Sequence, residues 1–201
     1  MPDNTIMANF VAAGASPRTA RQDHLPFAGR QASQTMAETD LGRVRALTAK
    51  FNDAGSKTNL PPALLAAIAS RESRCGNVLD RHGFGDGEEA FGIMQVDKRS
   101  HGLDGLPDPR SQGHIDQAAA ILNQAFRQAQ LKFAGQPLAR QLQAAVAAYN
   151  CGIGAVLSPA NADDHTTGRD YSNDVWARAE FYAARWPVAV DNDAVEMALT
   201  G

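Results

Sequence analysis

The sequence predicts an α+β protein, predominantly α-helical, with a small β-hairpin region, and three observations carry that reading. Ala is plentiful while runs of β-branched residues are scarce, a balance that favours helices over an extended sheet. Apolar residues recur at helical spacing in several separated stretches. Glycines crowd between Gly76 and Gly113, where loops must dominate and where residues 91–96 form the best candidate strand.

Taken in order, residues 1–31 hold Gly14, Pro17, Pro26 and Gly29 without sustained periodicity and read as an irregular N-terminal arm lying on the body. Over residues 33–54 the positions Met36, Leu41, Val44, Leu47 and Phe51 keep a helical period, so one helix is expected there, ending before Gly55. Pro61 and Pro62 suit a helix start, where the first N–H groups have no internal partner to lose, and residues 63–73 are strong helix formers. A hairpin follows around Phe91 and Val96, then helices over 115–133, 138–149 and 171–186. Residues 187–201 are acidic and polar and read as a frayed tail. A chain of 201 residues, 44% hydrophobic and 20% charged, can bury a real core and favours a single domain over 1–201.

Charge narrows the function classes. The formal net charge is −3, and Asp191, Asp193 and Glu196 account for all of it, with no Lys or Arg after Arg185. The body is therefore formally neutral and carries no basic stripe for phosphates, which argues against a nucleic-acid partner. No apolar run approaches the roughly 18 residues that a membrane span needs. Asp3 precedes the short apolar patch at 6–15 and no basic start is present, so no cleavable leader is expected. Cys75 and Cys151 are too few for a disulfide framework or a four-cysteine zinc module and read as free thiols near the site described next, with a single bridge closing a long loop as the alternative. His82, His101, His114 and His165 lack paired metal-ligand spacing, so neither metal nor cofactor is expected. Gly83, Gly85 and Gly87 lack the spacing and the strand-to-helix context of a dinucleotide loop.

The most informative stretch is Leu64-Leu65-Ala66-Ala67-Ile68-Ala69-Ser70-Arg71-Glu72. Positions four apart share a helix face, so Leu64, Ile68 and Glu72 form one line, and an apolar stripe ends in a carboxylate. A carboxyl at the margin of a buried face is partly stripped of water, which disfavours its charged form and raises its pKa. Such a group suits a general acid that must protonate a poor leaving group such as a glycosidic oxygen. The alternative is a helix-end carboxylate paired with Arg71 or Arg74.

Downstream, Gly83-Phe84-Gly85-Asp86 and Phe91-Gly92-Ile93-Met94-Gln95-Val96-Asp97 can place two more carboxylates on one cleft, with strand alternation pointing Gln95 and Asp97 to the same face. An acid on one side of a bond and a carboxylate across it, with a water between, permits inverting hydrolysis. Asp86 is equally a turn-forming Asp, and Asp97 a solvated strand end. Tyr149 and Asn150, ahead of Cys151 and Gly152, offer a ring and an amide suited to a sugar, or simply a helix C-terminus.

Together, Ser70-Arg71-Glu72-Ser73, Gly83-Phe84-Gly85-Asp86, the run from Phe91 through Gln95 and Asp97 to His101, and Ala148-Tyr149-Asn150 closely resemble the motifs of goose-type lysozymes. The likeness extends to Gly14-Ala15-Ser16, Met36-Ala37-Glu38 and Tyr171 with Asn173-Asp174, covering about residues 11–186. The resemblance implies a lysozyme-like fold and hydrolysis of peptidoglycan at the β-1,4 bond between N-acetylmuramic acid and N-acetylglucosamine, in antibacterial defence. It implies Glu72 as the acid, Asp86 and Asp97 as positioning or activating the water, and inversion at the anomeric carbon. Sugar contacts are implied at Gln95, His101, Tyr149, Asn150 and Tyr171, in a monomer with no nucleic-acid or membrane partner. Bird members carry four half-cystines in the N-terminal region; this chain has none before Cys75 and so resembles cysteine-poor fish members. An extracellular location follows from the resemblance, with leaderless export or a cytoplasmic location as the alternatives. The rival activities are a lytic transglycosylase, which would not need Asp86 and Asp97, and a non-catalytic peptidoglycan-binding protein.

Overall fold

The computed structural model describes residues 4–7 and 10–186; the tail expected at 187–201 lies outside the described residues. The described residues form α1 (Pro17–Ala20), α2 (Gly29–Ala46), α3 (Thr48–Thr58), α4 (Pro62–Ser73), β1 (Ala90–Phe91), β2 (Val96–Asp97), α5 (Gln112–Lys132), α6 (Leu138–Cys151) and α7 (Tyr171–Ala183). This is the predominantly helical α+β architecture with a small hairpin that the sequence predicts.

The fold is organised around α4. Its residues from Pro62 through Ser70 are all buried, so it is apolar on every side rather than striped. Leu64, Leu65 and Ile68 are fully buried, each contributing about 1.5–3 kcal/mol of transfer free energy. Pro62 starts the helix where its missing N–H costs nothing, and Arg74 ends it in the left-handed region at φ 55°. Around it pack α3, α7 and α2, while α5 joins the body through α6 and α3. Trp176 and Tyr182 of α7, Leu142 and Val146 of α6, Ile115 and Leu122 of α5 and Phe51 of α3 complete one contiguous core.

Three expectations need correction. The helix expected over 33–54 is two helices that meet at Leu47, whose φ of −111° and ψ of 5° break the α conformation. No Gly or Pro marks the break, and Leu47 and Phe51 are both core residues, so the apolar period runs straight through it. The arm over 1–31 contains α1, capped by the Ser16 hydroxyl accepting from the Thr19 amide at 3.3 Å, and α2 already begins at Gly29. Residues 91–96 are not one strand but the two ends of a hairpin and its turn: Ala90 pairs with Asp97 and Phe91 with Val96, antiparallel. Gln95 lies in that turn at φ 51°, so alternation along a strand does not explain its direction.

Beneath α4 lies a buried ionic lattice. Asp40 of α2 accepts from the Ser70 hydroxyl at 2.7 Å, from Arg74 Nε at 2.9 Å and from Arg43. Asp174 of α7 accepts from Arg71 Nη1 at 2.7 Å and from Arg178 Nε at 3.1 Å. Arg178, itself buried, reaches the Ser70 hydroxyl at 2.9 Å and so joins the two acids through α4. Buried charges persist only when paired and hydrogen-bonded in this way.

Candidate active site

A cleft of about 630 Å³ opens between the hairpin, the end of α4, α5 and the end of α6. Glu72, Gln95, Asp97, His101, Tyr149 and Asn150 all line it, so six of the residues singled out in the sequence meet on one surface. Ile121, Gln124 and Gln128 of α5 form a further wall that no sequence motif marks.

Glu72 sits in the last turn of the buried helix, partly open to the cleft. The pairing that would make it an ordinary helix-end carboxylate does not occur. Arg71 is held by Asp174 at 2.7 Å and Asp170 at 3.1 Å, and Arg74 by Asp40 at 2.9 Å and by Asp23. What Glu72 does have is the Tyr171 hydroxyl, which donates to Oε1. Burial pushes the carboxyl up to about 7; the Tyr171 hydrogen bond and the positive field of Arg71 offset part of that rise. Proton-carrying and proton-free forms are thus both accessible near neutral pH.

Tyr171 is placed differently from the sugar contact expected of it. It is 1% exposed and lies beneath Glu72 at the start of α7, with Arg71 5.6 Å from its ring centroid. Burial, with the adjoining Glu72 second, raises its own pKa well above the usual phenol value, so it stays a donor. Tyr149, which also lines the cleft, donates its hydroxyl to the Met94 carbonyl at 2.8 Å. Asn150 accepts the Thr167 amide at 2.8 Å on its Oδ1.

Asp97, at the end of β2, has the opposite electrostatics. Its carboxylate accepts from Arg99 Nη2 at 2.7 Å and Nε at 3.0 Å and from the Arg99 amide at 2.8 Å. The Arg99 side-chain hydrogen bonds, followed by that amide, hold it down to about 2. One cleft therefore carries a carboxyl that can keep its proton near neutrality and another that remains an anion at any ordinary pH. Asp86 opens a short 3₁₀ turn, Asp86–Glu88, just ahead of β1; its side chain lies outside the described residues.

The hairpin that carries Gln95 and Asp97 is fastened by residues that no motif singles out. The Ser73 hydroxyl, next to Glu72, donates to the Ile93 carbonyl at 2.8 Å, and Ile93 donates its amide to the Pro109 carbonyl at 3.0 Å. Gln95 Nε2 donates to the Gly92 carbonyl at 2.8 Å. Its Oε1 comes so close to Gly85 that a Cβ there would stand 2.0 Å away, so a larger residue at that position would displace the Gln95 side chain. Of the two thiols, Cys151 lines the cleft and Cys75 lies in the core; both are free. Burial raises the pKa of each, that of Cys75 to about 12.

With that geometry established, the comparisons with known proteins are specific. The family model for Lysozyme g matches residues 6–185. The chain is similar to Lysozyme g of Epinephelus coioides, 45% identical over 184 residues that cover 87% of this chain and 93% of the relative. It is similar to Lysozyme g of Gallus gallus, 40% identical with coverage of 84% and 79%, and to Lysozyme g of Cyprinus carpio, 40% identical with coverage of 86% and 91%.

Proposed function

This chain belongs to the Lysozyme g family and is a peptidoglycan-directed glycoside hydrolase, and we propose that it cleaves the β-1,4 bond from N-acetylmuramic acid to N-acetylglucosamine by direct attack of water. The observation that carries the proposal is Glu72 itself: a carboxyl raised to about 7 by burial, on the surface of a sugar-sized cleft, with both neighbouring arginines committed elsewhere.

In this reading Glu72 enters the reaction protonated. Tyr171 donates to Oε1, which leaves Oε2 to carry the proton. As the bond from the anomeric carbon to the glycosidic oxygen breaks, that proton passes to the departing oxygen of N-acetylglucosamine. A water forms the new bond at the anomeric carbon from the opposite face, which inverts it. With a pKa near 2, Asp97 is a weak base. Its contribution is to orient the water and to stabilise the positive charge that develops on the sugar, with Asp86 as the second carboxylate that can accept the water's proton. Gln95, His101, Tyr149 and Asn150 are the sugar-binding side chains in this scheme, and Tyr171 acts through Glu72. Antibacterial defence is the role that fits this chemistry.

The test is product analysis on purified peptidoglycan beside clearing of a bacterial cell suspension. The wild type should release reducing N-acetylmuramic acid ends of inverted configuration. Glu72→Gln should retain the fold and abolish turnover, and Asp86→Asn with Asp97→Asn should cost more together than either alone. Anhydromuramic ends would replace the hydrolase with a transglycosylase, and near wild-type turnover by Glu72→Gln would remove the assigned acid.

A further inference from the structure

His114 is fully buried in the first turn of α5, where its amide is capped by the Ser111 hydroxyl at 3.2 Å. Its ring lies under the hairpin turn. A Cβ on Gly92 would stand 2.4 Å from Cε1 and Nε2, so only glycine lets the turn settle on the imidazole, and Phe91 meets the ring edge-on at 5.5 Å between centroids. The Met94 amide donates to Nε2 at 3.1 Å, while the Met94 carbonyl accepts from Tyr149 at 2.8 Å. Both polar groups of this one residue are therefore gripped from opposite helices, α5 and α6, and the next residue is Gln95 on the cleft wall.

An Nε2 that accepts a hydrogen bond must be unprotonated, so the proton of the neutral ring sits on Nδ1. Nδ1 is buried and has no hydrogen-bond partner among the described residues. We propose that His114 is a positioning residue for the sugar-binding wall: its neutral Nε2 locks the Met94 peptide, and protonation of that nitrogen sets donor against donor and releases Gln95 and Tyr149.

Nothing else in the grip titrates in the acid range. The Ser73 hydroxyl, the Pro109 carbonyl and the Tyr149 phenol hold the remainder of the turn without changing charge there. Gly92, Phe91 and Met94 face the ring from the hairpin, and among the described residues Asp108, on the loop before α5, is the charged side chain whose field reaches it. Burial outweighs Asp108 and lowers the ring from 6.5 to about 4, so the lock is closed at ordinary pH and opens in acid. Asp97 stays ionised to about 2 and does not share that transition.

The activity consequence rests on the hydrolase reading above, whereas the lock itself does not, and the experiment separates them. Nitrogen-15 imidazole and amide spectra of the unmodified protein, recorded from pH 7 to pH 3, should show His114 protonated on Nδ1. Its titration should have a midpoint near 4, with the Met94 amide and the Gln95 side-chain amide moving together with it while α4 amides stay still. A ring protonated on Nε2, a midpoint near that of free histidine, a Met94 amide that ignores the titration, or one global transition of every resonance would each overturn the proposal. In parallel, His114→Gln puts an untitratable acceptor oxygen where Nε2 stood. In it the acid movement of the Met94 amide and the Gln95 side-chain amide should vanish, and KM for chitooligosaccharides should no longer rise as pH falls through about 4, whereas the kcat limb that belongs to the cleft carboxylates should stay where it is. Met94 and Gln95 movements that persist in His114→Gln, or a KM that still rises there in acid, would also overturn it; inactivity of both proteins with an intact NMR titration would strike the hydrolase reading alone.

Discussion

Replacing Glu72 by Gln should stabilise the protein in a pH-dependent way, and the size follows from the site. The carboxyl rises from an ordinary 4.5 to about 7 in the folded protein, chiefly because α4 removes it from water. A group whose folded pKa is raised contributes stability that is complete below its unfolded pKa and is lost as pH climbs through the folded one. The window is therefore about pH 4.5 to 7, and above it the wild type carries the whole cost of a dehydrated anion. About 2.5 pKa units at roughly 1.36 kcal/mol each gives about 3 kcal/mol, reduced to about 2–3 kcal/mol because the cleft side is open to solvent. Gln keeps an acceptor oxygen for Tyr171 and has no charge to lose. For a chain of this length roughly 2–4 °C accompanies each kcal/mol, so Glu72→Gln should melt about 4–12 °C above wild type at pH 8. The two should coincide near pH 4. Thermal denaturation by circular dichroism across pH 4 to 9 reads the difference directly. A gap that stays constant with pH, or is absent at pH 8, would mean that the carboxyl is hydrated and that the physical basis for the acid assignment fails.

Two further outcomes follow from the surroundings of that carboxyl. In Tyr171→Phe the hydrogen bond that lowers the Glu72 pKa is gone, so the alkaline limb of kcat should move upward by about half a unit to one unit, consistent with one lost hydrogen bond of about 1 kcal/mol; a limb that stays fixed would refute the contact. Asp40→Ala leaves Arg43, Arg74 and the Ser70 hydroxyl without their shared, fully buried acceptor, although both arginines are partly exposed and Arg74 keeps Asp23, which should cost about 3 kcal/mol in urea unfolding; a loss below about 1 kcal/mol would show that the ionic lattice is not a unit.

The legibility of this chain varied with the range of the interactions involved. Helices whose ends carry local signals were plain: Pro62 opens α4, and the periods over α5, α6 and α7 predicted their cores to within a few residues at either end. The break at Leu47 was hidden because it is a backbone event between two core residues. The cleft wall is legible through motif residues at Glu72, Gln95, Asp97, His101, Tyr149 and Asn150, yet the direction of Gln95 depends on a turn with positive φ that strand alternation does not predict. Tyr171 was marked by the family resemblance, but its hydrogen bond to Glu72, like that from Met94 to His114, was not legible. Each acts across a sequence separation, 99 residues to Glu72 and 20 to Met94, over which no periodicity carries information.

The placement of α7 bears on how the enzyme comes into being. A ribosome delivers the chain from its first residue onward, so the acid-bearing helix emerges long before the segment that buries it and seats the phenol 99 positions later. Until then the nascent polypeptide has its carboxylates in sequence but no dehydrated niche to hold a proton in reserve. The raised proton affinity of Glu72 is therefore absent until the segment that begins at Tyr171 has been made, and on the proposed mechanism a product cut short before that residue is inert.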